Sequence, residues 1–498
     1  MPDSALSVQA DPESLEKLKR LQARRRKRAD SELGRYYADP VAFATDCIAW
    51  PIDQSLSEYQ AEALDALPHR RRVCVRSLHG TGKTTMESIA VLWFALTRDA
   101  VGRDWKCPTT AGAWNQLEKY LWPEIRKWSR LLRWDRIHRD PFGPNEMLSR
   151  TLRLRFGSAF AVASAIPQFI EGVHGDSVLY IYDEAKSIPV ATWDAAEGAF
   201  TGAEGTEAMA LACSTPGEPI GRFYDIQSRR AGTEDWHTVH ISLDRALAAR
   251  RVDPAWVEQR RLLWGPSSAI FANRVLGEFH SSDEDSIVPL SWVEQAVTRW
   301  EDHRDGVLAP LDRVGVDVAR SGMDSTVVAL IYGHRVNELR RTFHESTAAT
   351  AGRVRGVLDT NLDAQAVVDT DGLGAGVTDM LRDDGYTVRA FHGAAASNRR
   401  DRSGELGFLN ARAAAWWHMR EALDPEQGAT LELPPDDLLI GDLTAPKLKR
   451  VNRKSQIEIE SKDDIRKRLG RSTDAGDAVV MGLYPGDRPR RRRRMKRW

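Results

Sequence analysis

The 498-residue chain has only four cysteines (Cys47, Cys74, Cys107, Cys213), and no two of them have CxxC spacing. This excludes a zinc ribbon or a disulfide scaffold and fits reduced thiols. No apolar run approaches about eighteen residues and the mean hydropathy is −0.45, so no transmembrane helix is expected. The first residues (MPDSALSVQADPESLEKLKR) lack an apolar signal core, so export is not expected. No internal repeat and no long Pro/Gly/Ser-rich linker divides the chain. At this length two or three domains are the starting expectation.

Net charge is also missing, because 71 basic and 71 acidic residues cancel. The cancellation hides an uneven distribution. Lys17–Arg28 (KLKRLQARRRKR) and Arg488–Trp498 (RPRRRRRMKRW) each hold eight basic residues and no acid. Without them 55 basic residues face 71 acidic ones, so a net-acidic body carries two cationic ends. Such ends bind polyanions by counterion release, and the bland alternative is a solvated tail that aids solubility.

Residues 12 to 30 read as a charged helix or a mobile arm. After the Pro-bounded stretch Asp39–Pro51, Ser55–Leu67 has helical spacing with Ser57 as N-cap. Strands are expected at Arg71–Ser77, Val178–Glu184 and Glu207–Pro216, with a helix from Lys83 to about Leu96. Strands separated by helical stretches imply a parallel sheet with crossover helices. The pattern weakens between about 272 and 311, through the acidic bend Ser281–Ser286 and a helix around Trp292. Beyond it RVGVDVA (Arg313–Ala319), STVVALIYG and RVNELRRTF read as an antiparallel meander. A helix near Ala351–Leu362, the strand Ala364–Thr370 and a final helix Asp474–Leu483 follow. Meander first, then alternating helix and strand, is the order of a ribonuclease-H-like domain. The expected organisation is a basic arm (1–38), a phosphate-binding α/β domain (39–271), a junction (272–311), the ribonuclease-H-like domain (312–486) and a basic tail (487–498).

Ser77–Thr85 (SLHGTGKTT) nearly matches GxxxxGK[ST], with Ser77 in place of the first glycine. Gly80 and Gly82 allow a tight turn whose N–H groups face phosphates, Lys83 reaches the β/γ oxygens, and Thr84 places its hydroxyl on Mg²⁺. Thr85 completes the segment. The alternative is a Gly-rich turn that only caps a helix. An acidic pair ending an apolar strand, Asp183–Glu184, is costly unless it meets a cation. Asp183 would hold Mg²⁺ through water and Glu184 would polarise the attacking water. As a structural alternative the pair caps the following helix. Gln60 lies upstream of Lys83, where such a glutamine can read the adenine edge; an exposed helical Gln is the plain alternative. Ser214–Thr215 ends the third strand.

In the C-terminal half Asp317 sits on an apolar strand, Asp369 closes AQAVVDT, and Asp474 and Asp477 open a helix. Carboxylates gathered at strand ends are what a two-metal nuclease needs, and oxygen-only ligands favour Mg²⁺ or Mn²⁺ over zinc. The plain reading is that Asp474 is an N-cap and Asp369 part of a turn.

These residues, in this order, resemble the large terminase subunit of tailed bacteriophages over roughly Asp39 to Pro485. The likeness includes Tyr59–Gln60, Arg76 before the P-loop, FIEGVHG before VLYIYDEA, the STP segment, GVDVARSGMDST, VVDTDGLGAGVTDML and RSTDAGDAV. The resemblance implies an α/β fold: an N-terminal P-loop ATPase of the additional-strand type and a C-terminal ribonuclease-H-like mixed-sheet nuclease. It implies ATP with Mg²⁺ at Gln60, Arg76, Gly80, Gly82, Lys83, Thr84, Thr85 and Asp183, with Glu184 catalytic and Ser214 and Thr215 coupling. Two Mg²⁺ or Mn²⁺ ions are implied at Asp317, Asp369 and Asp474, with Asp477 as a further candidate ligand. Implied partners are double-stranded DNA, the portal of a procapsid, a small terminase subunit and further copies in a ring, commonly of five. The implied location is the host bacterial cytoplasm. The rival readings are a cellular DNA repair or recombination ATPase-nuclease and a non-catalytic assembly protein.

Overall fold

The computed structural model describes residues 12–201, 206–280, 286–319, 325–452 and 454–486. The expected basic tail, nearly all of the acidic bend Ser281–Ser286 and residues 320–324 lie outside the described residues. Two compact units form. One is Met1–Pro254 with Asn273–Phe279, the other Ala255–Ala272 with His280–Trp498.

The first unit is built on seven strands: β1 (Arg72–Ser77), β2 (Trp105–Ala111), β3 (Thr151–Arg153), β4 (Gly157–Ala163), β5 (Ser177–Asp183), β6 (Glu207–Ser214) and β7 (His237–Ile241). Their order is β3-β4-β2-β5-β6-β1-β7, and every pairing is parallel except β3 with β4. Because β6 lies between β1 and β5, the sheet is of the additional-strand type. The helix Lys83–Ala100 crosses behind it, and every residue from Met86 to Asp99 is buried. A helix apolar nearly all round belongs in a core. Its one buried arginine, Arg98, is satisfied by a two-pronged pair with Glu207 at 2.8 and 3.0 Å. The N-terminal segment is a helix, Pro12–Gly34, anchored by buried Ala29 and Leu33.

The second unit carries β8 (Arg313–Asp317), β9 (Thr326–Tyr332), β10 (Arg335–Thr342), β11 (Gln365–Asp369) and β12 (Val388–Phe391) in the order β10-β9-β8-β11-β12. The first three pair antiparallel, while β11 runs parallel to β8 and β12. This is the ribonuclease-H-like mixed sheet. A small sheet adds β13 (Gly407–Phe408), β14 (Leu448–Val451) and β15 (Gln456–Ile459). The helix Asp474–Leu483 lies against β8 so closely that a Cβ on Gly315 would stand 2.1 Å from the Ala478 carbonyl oxygen. Only glycine fits there, and the contact brings the helix start to the strand ends.

Between these sheets the chain divides differently from the contiguous order expected. Residues 273–279 return to the first unit, where the Arg274 carbonyl accepts the His79 N–H at 3.1 Å. Asn273 fixes that return through its side-chain amide, which donates to the Glu278 carbonyl at 2.7 Å. Residues 255–272 pack in the second unit, where Trp264 donates to the Asp437 carbonyl at 3.0 Å and Arg260 pairs with Asp437 at 3.2 Å. Among the described residues no helix is long and apolar enough to cross a membrane.

Candidate functional site

In the first unit β1 runs into a turn that only glycine adopts readily. Gly80 and Gly82 both have positive φ, +77° and +80°, and Gly82 caps the helix beginning at Lys83. Ser77, standing where a glycine is usual, fastens this turn. Its hydroxyl accepts from Thr81 Oγ1 at 3.0 Å and Lys83 Nζ at 3.2 Å, and donates to the Leu78 carbonyl at 3.0 Å. Lys83 Nζ also reaches the Leu78 carbonyl at 3.4 Å. Thr84 and Thr85 are half-buried in the first turn, and Thr85 Oγ1 donates to Glu124 at 3.3 Å. His79 is exposed on this turn, and desolvation together with the charges of Arg274, Lys83 and Lys186 pushes its pKa well down. Those three cations beside the turn suit phosphate.

Parallel pairing in register, Asp183 opposite Cys213, brings the acidic pair beside Ser214. Asp183 is buried, and burial with the neighbouring Glu184 charge lifts its pKa to about 7 against the pull of Lys83. Glu184 follows the strand in a left-handed conformation (φ 44°, ψ 51°), strained for a side chain with a Cβ. Its Oε2 accepts from Ser214 Oγ at 3.0 Å and Thr215 Oγ1 at 3.3 Å. Both residues expected to couple thus touch the residue expected to be catalytic.

Gln60 and Arg76, expected beside the nucleotide, both have partners within the protein. Gln60 is 1% exposed; its carbonyl takes the Ser57 N–H at 3.0 Å and its amide donates to the Gly82 carbonyl at 2.9 Å. Beside it Tyr59 OH donates to the Thr81 carbonyl at 3.0 Å. As placed, the pair braces the phosphate turn from behind. Arg76 pairs with Glu278 at 3.0 Å and lies 5.4 Å from the centre of the Phe279 ring. Glu87, not singled out from sequence, is fully buried one turn after Lys83, and burial and the Asp183 charge drive its pKa well up. A lone acid inside MESIAVLWFAL was the available signal.

In the second unit, parallel neighbours β8 and β11 end on Asp317 and Asp369 at matching register. Burial, then the charges of Asp477, Asp369 and Asp474, push the Asp317 pKa well up, against the pull of Lys462. Lys462, not singled out from sequence, reaches between strand and helix: its Nζ is 3.1 Å from Asp369 Oδ2 and 3.3 Å from Asp477 Oδ2. Despite the cost of burial, the carboxylates of Asp477, Asp317 and Asp369 hold it firmly protonated. Asp477 also accepts from Trp416 Nε1 at 3.2 Å and Thr473 Oγ1 at 3.0 Å. Asp474 accepts from the Ser325 N–H at 2.8 Å. The four aspartates therefore share one region, with an ammonium group among three of them. Among the described residues no three acidic, histidine or cysteine groups are set closely enough to hold an ion as they stand. A cleft of about 370 Å³ opens beside them, lined by Asp369, Asp371, Phe391, Arg412, Lys462 and Asp477. Behind the helix start, fully buried Asp442 pairs with Arg471 and accepts the Gly476 N–H at 3.1 Å.

No family model matches the sequence. The chain is 25% identical over 342 residues to the probable terminase large subunit of Enterobacteria phage P7, covering 63% of this chain and 64% of that protein. It thus spans just under two thirds of that relative's length. Similar solved structures include the large terminase of a thermophilic bacteriophage in complex with ATP-γ-S (13% identity, 86% of this chain, 99% of that one, TM-score 0.39). Another is the nuclease domain of the large terminase subunit gp2 of bacterial virus Sf6 (19% identity, 40% and 98% coverage, TM-score 0.34).

Proposed function

We propose that the chain is a DNA-packaging terminase large subunit: ATP hydrolysis in the first unit drives double-stranded DNA into a procapsid, and the second unit cuts the DNA. The observation that carries this reading is β6 between β1 and β5, which gathers the phosphate turn, Asp183–Glu184 and Ser214–Thr215 at one sheet edge. The likeness to the P7 terminase supports it.

In this reading the backbone N–H groups of the turn and Lys83 hold the ATP phosphates. Thr84 and Asp183 would hold Mg²⁺, which supplies charge neutralisation on the phosphates. Glu184 takes the proton of the attacking water, oriented by the hydroxyls of Ser214 and Thr215. In the second unit the buried, charge-crowded Asp317 and the all-oxygen donor set fit hard divalent ions. Asp317, Asp369 and Asp474, with Asp477, would hold Mg²⁺ or Mn²⁺, which supplies an activated water and stabilises the leaving oxygen. Lys462 offsets part of their charge. Partners on this reading are DNA, a portal-bearing procapsid, a small terminase subunit and further copies in a ring, in the host cytoplasm.

Two single substitutions test it. Glu184→Gln should lower ATP turnover about a hundredfold or more and leave plasmid cutting in Mn²⁺ intact. Asp317→Ala should do the reverse. ATP turnover unchanged in Glu184→Gln would sink the ATPase assignment, and cutting unchanged in Asp317→Ala would sink the nuclease assignment.

A further inference from the structure

The helix Pro12–Gly34 carries a charge pattern that neither site uses. Arg24, Arg25, Arg26, Lys27 and Arg28 are all exposed, while the next turn turns inward at Ala29 and Leu33. The helix is held firmly: Arg155 grips Asp30 at 2.7 and 3.1 Å, and Trp93 Nε1 donates to the Tyr36 carbonyl just past its end at 2.7 Å. The acids nearby are already matched. Glu16 pairs with Arg20, Asp140 with Arg25, Asp30 with Arg155 and Glu32 with Arg35. Arg24, Arg26, Lys27 and Arg28 have no ion pair to a described residue, which leaves four surplus positive charges on a fixed scaffold.

Three features identify what this surface fits. Positions 24, 27 and 28, all unpaired, share one helix face, because neighbours three and four apart lie together. At about 1.5 Å per residue that row spans about 6 Å, the axial length of about three successive phosphates on one strand of a duplex. The exposed stretch from Ala23 to Arg28 offers no aromatic or large apolar anchor, which protein interfaces rely on. Three of the four unpaired cations are arginines, whose planar forks match phosphate.

We propose that this face is a sequence-independent contact for the phosphate backbone of double-stranded DNA. The proposal rests on the DNA-handling function above and adds a second place where DNA touches the chain. The test compares the full chain with the triple variant Arg24→Ala/Lys27→Ala/Arg28→Ala. Affinity for a short labelled duplex of unrelated sequence is measured by fluorescence anisotropy in EDTA, between about 50 and 200 mM salt. Each lost phosphate contact should flatten the slope of log affinity against log salt by about 0.9, so the variant should lose about 2.7. A charge-keeping variant, Arg24→Lys/Arg28→Lys, should keep the parental slope, which a merely structural role for these side chains would not predict. Unchanged DNA-free ATP hydrolysis in all three proteins reports an intact fold. If the parent binds duplex and the triple variant shows the same slope, the proposal is wrong and the packaging function stands. If the parent binds no duplex at all, both fall.

Discussion

Replacing Ser214 by alanine removes the shorter of two hydrogen bonds that orient the Glu184 carboxylate. Oε2 of Glu184 accepts from Ser214 Oγ at 3.0 Å and from Thr215 Oγ1 at 3.3 Å. A hydrogen bond to a charged group contributes about 1.5–3 kcal/mol. Ser214 has a single hydroxyl proton, and the Thr215 carbonyl also lies 2.8 Å from it, so the bond to Glu184 is shared. The lower end, about 1.5–2 kcal/mol, is the appropriate figure. If that energy holds Glu184 toward the attacking water, its loss lowers kcat about 10- to 30-fold. KM for ATP should move little, because in the proposed mechanism Glu184 acts on the water rather than on bound nucleotide. The assay is steady-state ATP hydrolysis by Ser214→Ala, Glu184→Gln and the double variant. The two losses should not add: once Glu184 is gone, removing Ser214 should cost almost nothing more. Independent losses, with a coupling below about 0.5 kcal/mol, would refute the idea that the hydroxyl works through Glu184.

Asp442→Asn should destabilise the second unit by about 3–5 kcal/mol, because it leaves the Arg471 guanidinium without its buried counter-charge. A lower urea midpoint would show this, and Asp442→Leu/Arg471→Met should lose less than the single change. For Asp183, whose pKa is lifted to about 7, Mg²⁺-nucleotide affinity should rise with pH up to about 7 and then level off. Calorimetry near pH 6.5 should detect a released proton that disappears in Asp183→Asn. In the metal-free chain the folded state keeps that proton where the unfolded state, with an ordinary aspartate near 3.8, gives it up. This group's contribution to stability therefore falls as pH rises from about 4 to 7.

The legible parts of the fold were those where one local rule acted alone. The strand before the phosphate turn, the helix after it and the apolar strand ending at Asp183 all declare themselves through periodicity and punctuation. Strand β2 did not, because Pro108 lies in its middle and proline argues against a central strand. The sheet accommodates it by interrupting the pairing with β5, where the register passes from Lys106 opposite Val178 to Thr109 opposite Ile181. Gln60 was recognisable as important, but its partners were not: N-cap closure and the Gly82 carbonyl occupy an amide that spacing alone would have turned toward a ligand. Lys462 was hidden for the opposite reason. In SKDDIRKRLG it is one charge among many, and only the fold sets it apart from Lys467 or Arg466.

Asp474 and Asp477 show where local rules stop discriminating. Three positions apart in the first turn of one helix, they project to the same side and read alike in sequence. Their partners separate them. Asp477 is 4% exposed and fixed by Trp416, Thr473 and Lys462, so it has little freedom to reorient; its pKa, which burial would raise, is brought down by Lys462, Arg412 and Thr473. Asp474 is met instead by the backbone and hydroxyl of Ser325, just before β9. Among the described residues these four carboxylates face Lys462 and Arg412, which leaves a surplus of negative charge. Burial first, and then that surplus, raises the pKa of Asp317. A site with this imbalance binds added divalent cation more strongly as its carboxylates ionise. The buried Asp442–Arg471 pair behind the helix start adds no net charge to it, which leaves that pair free to act as a brace.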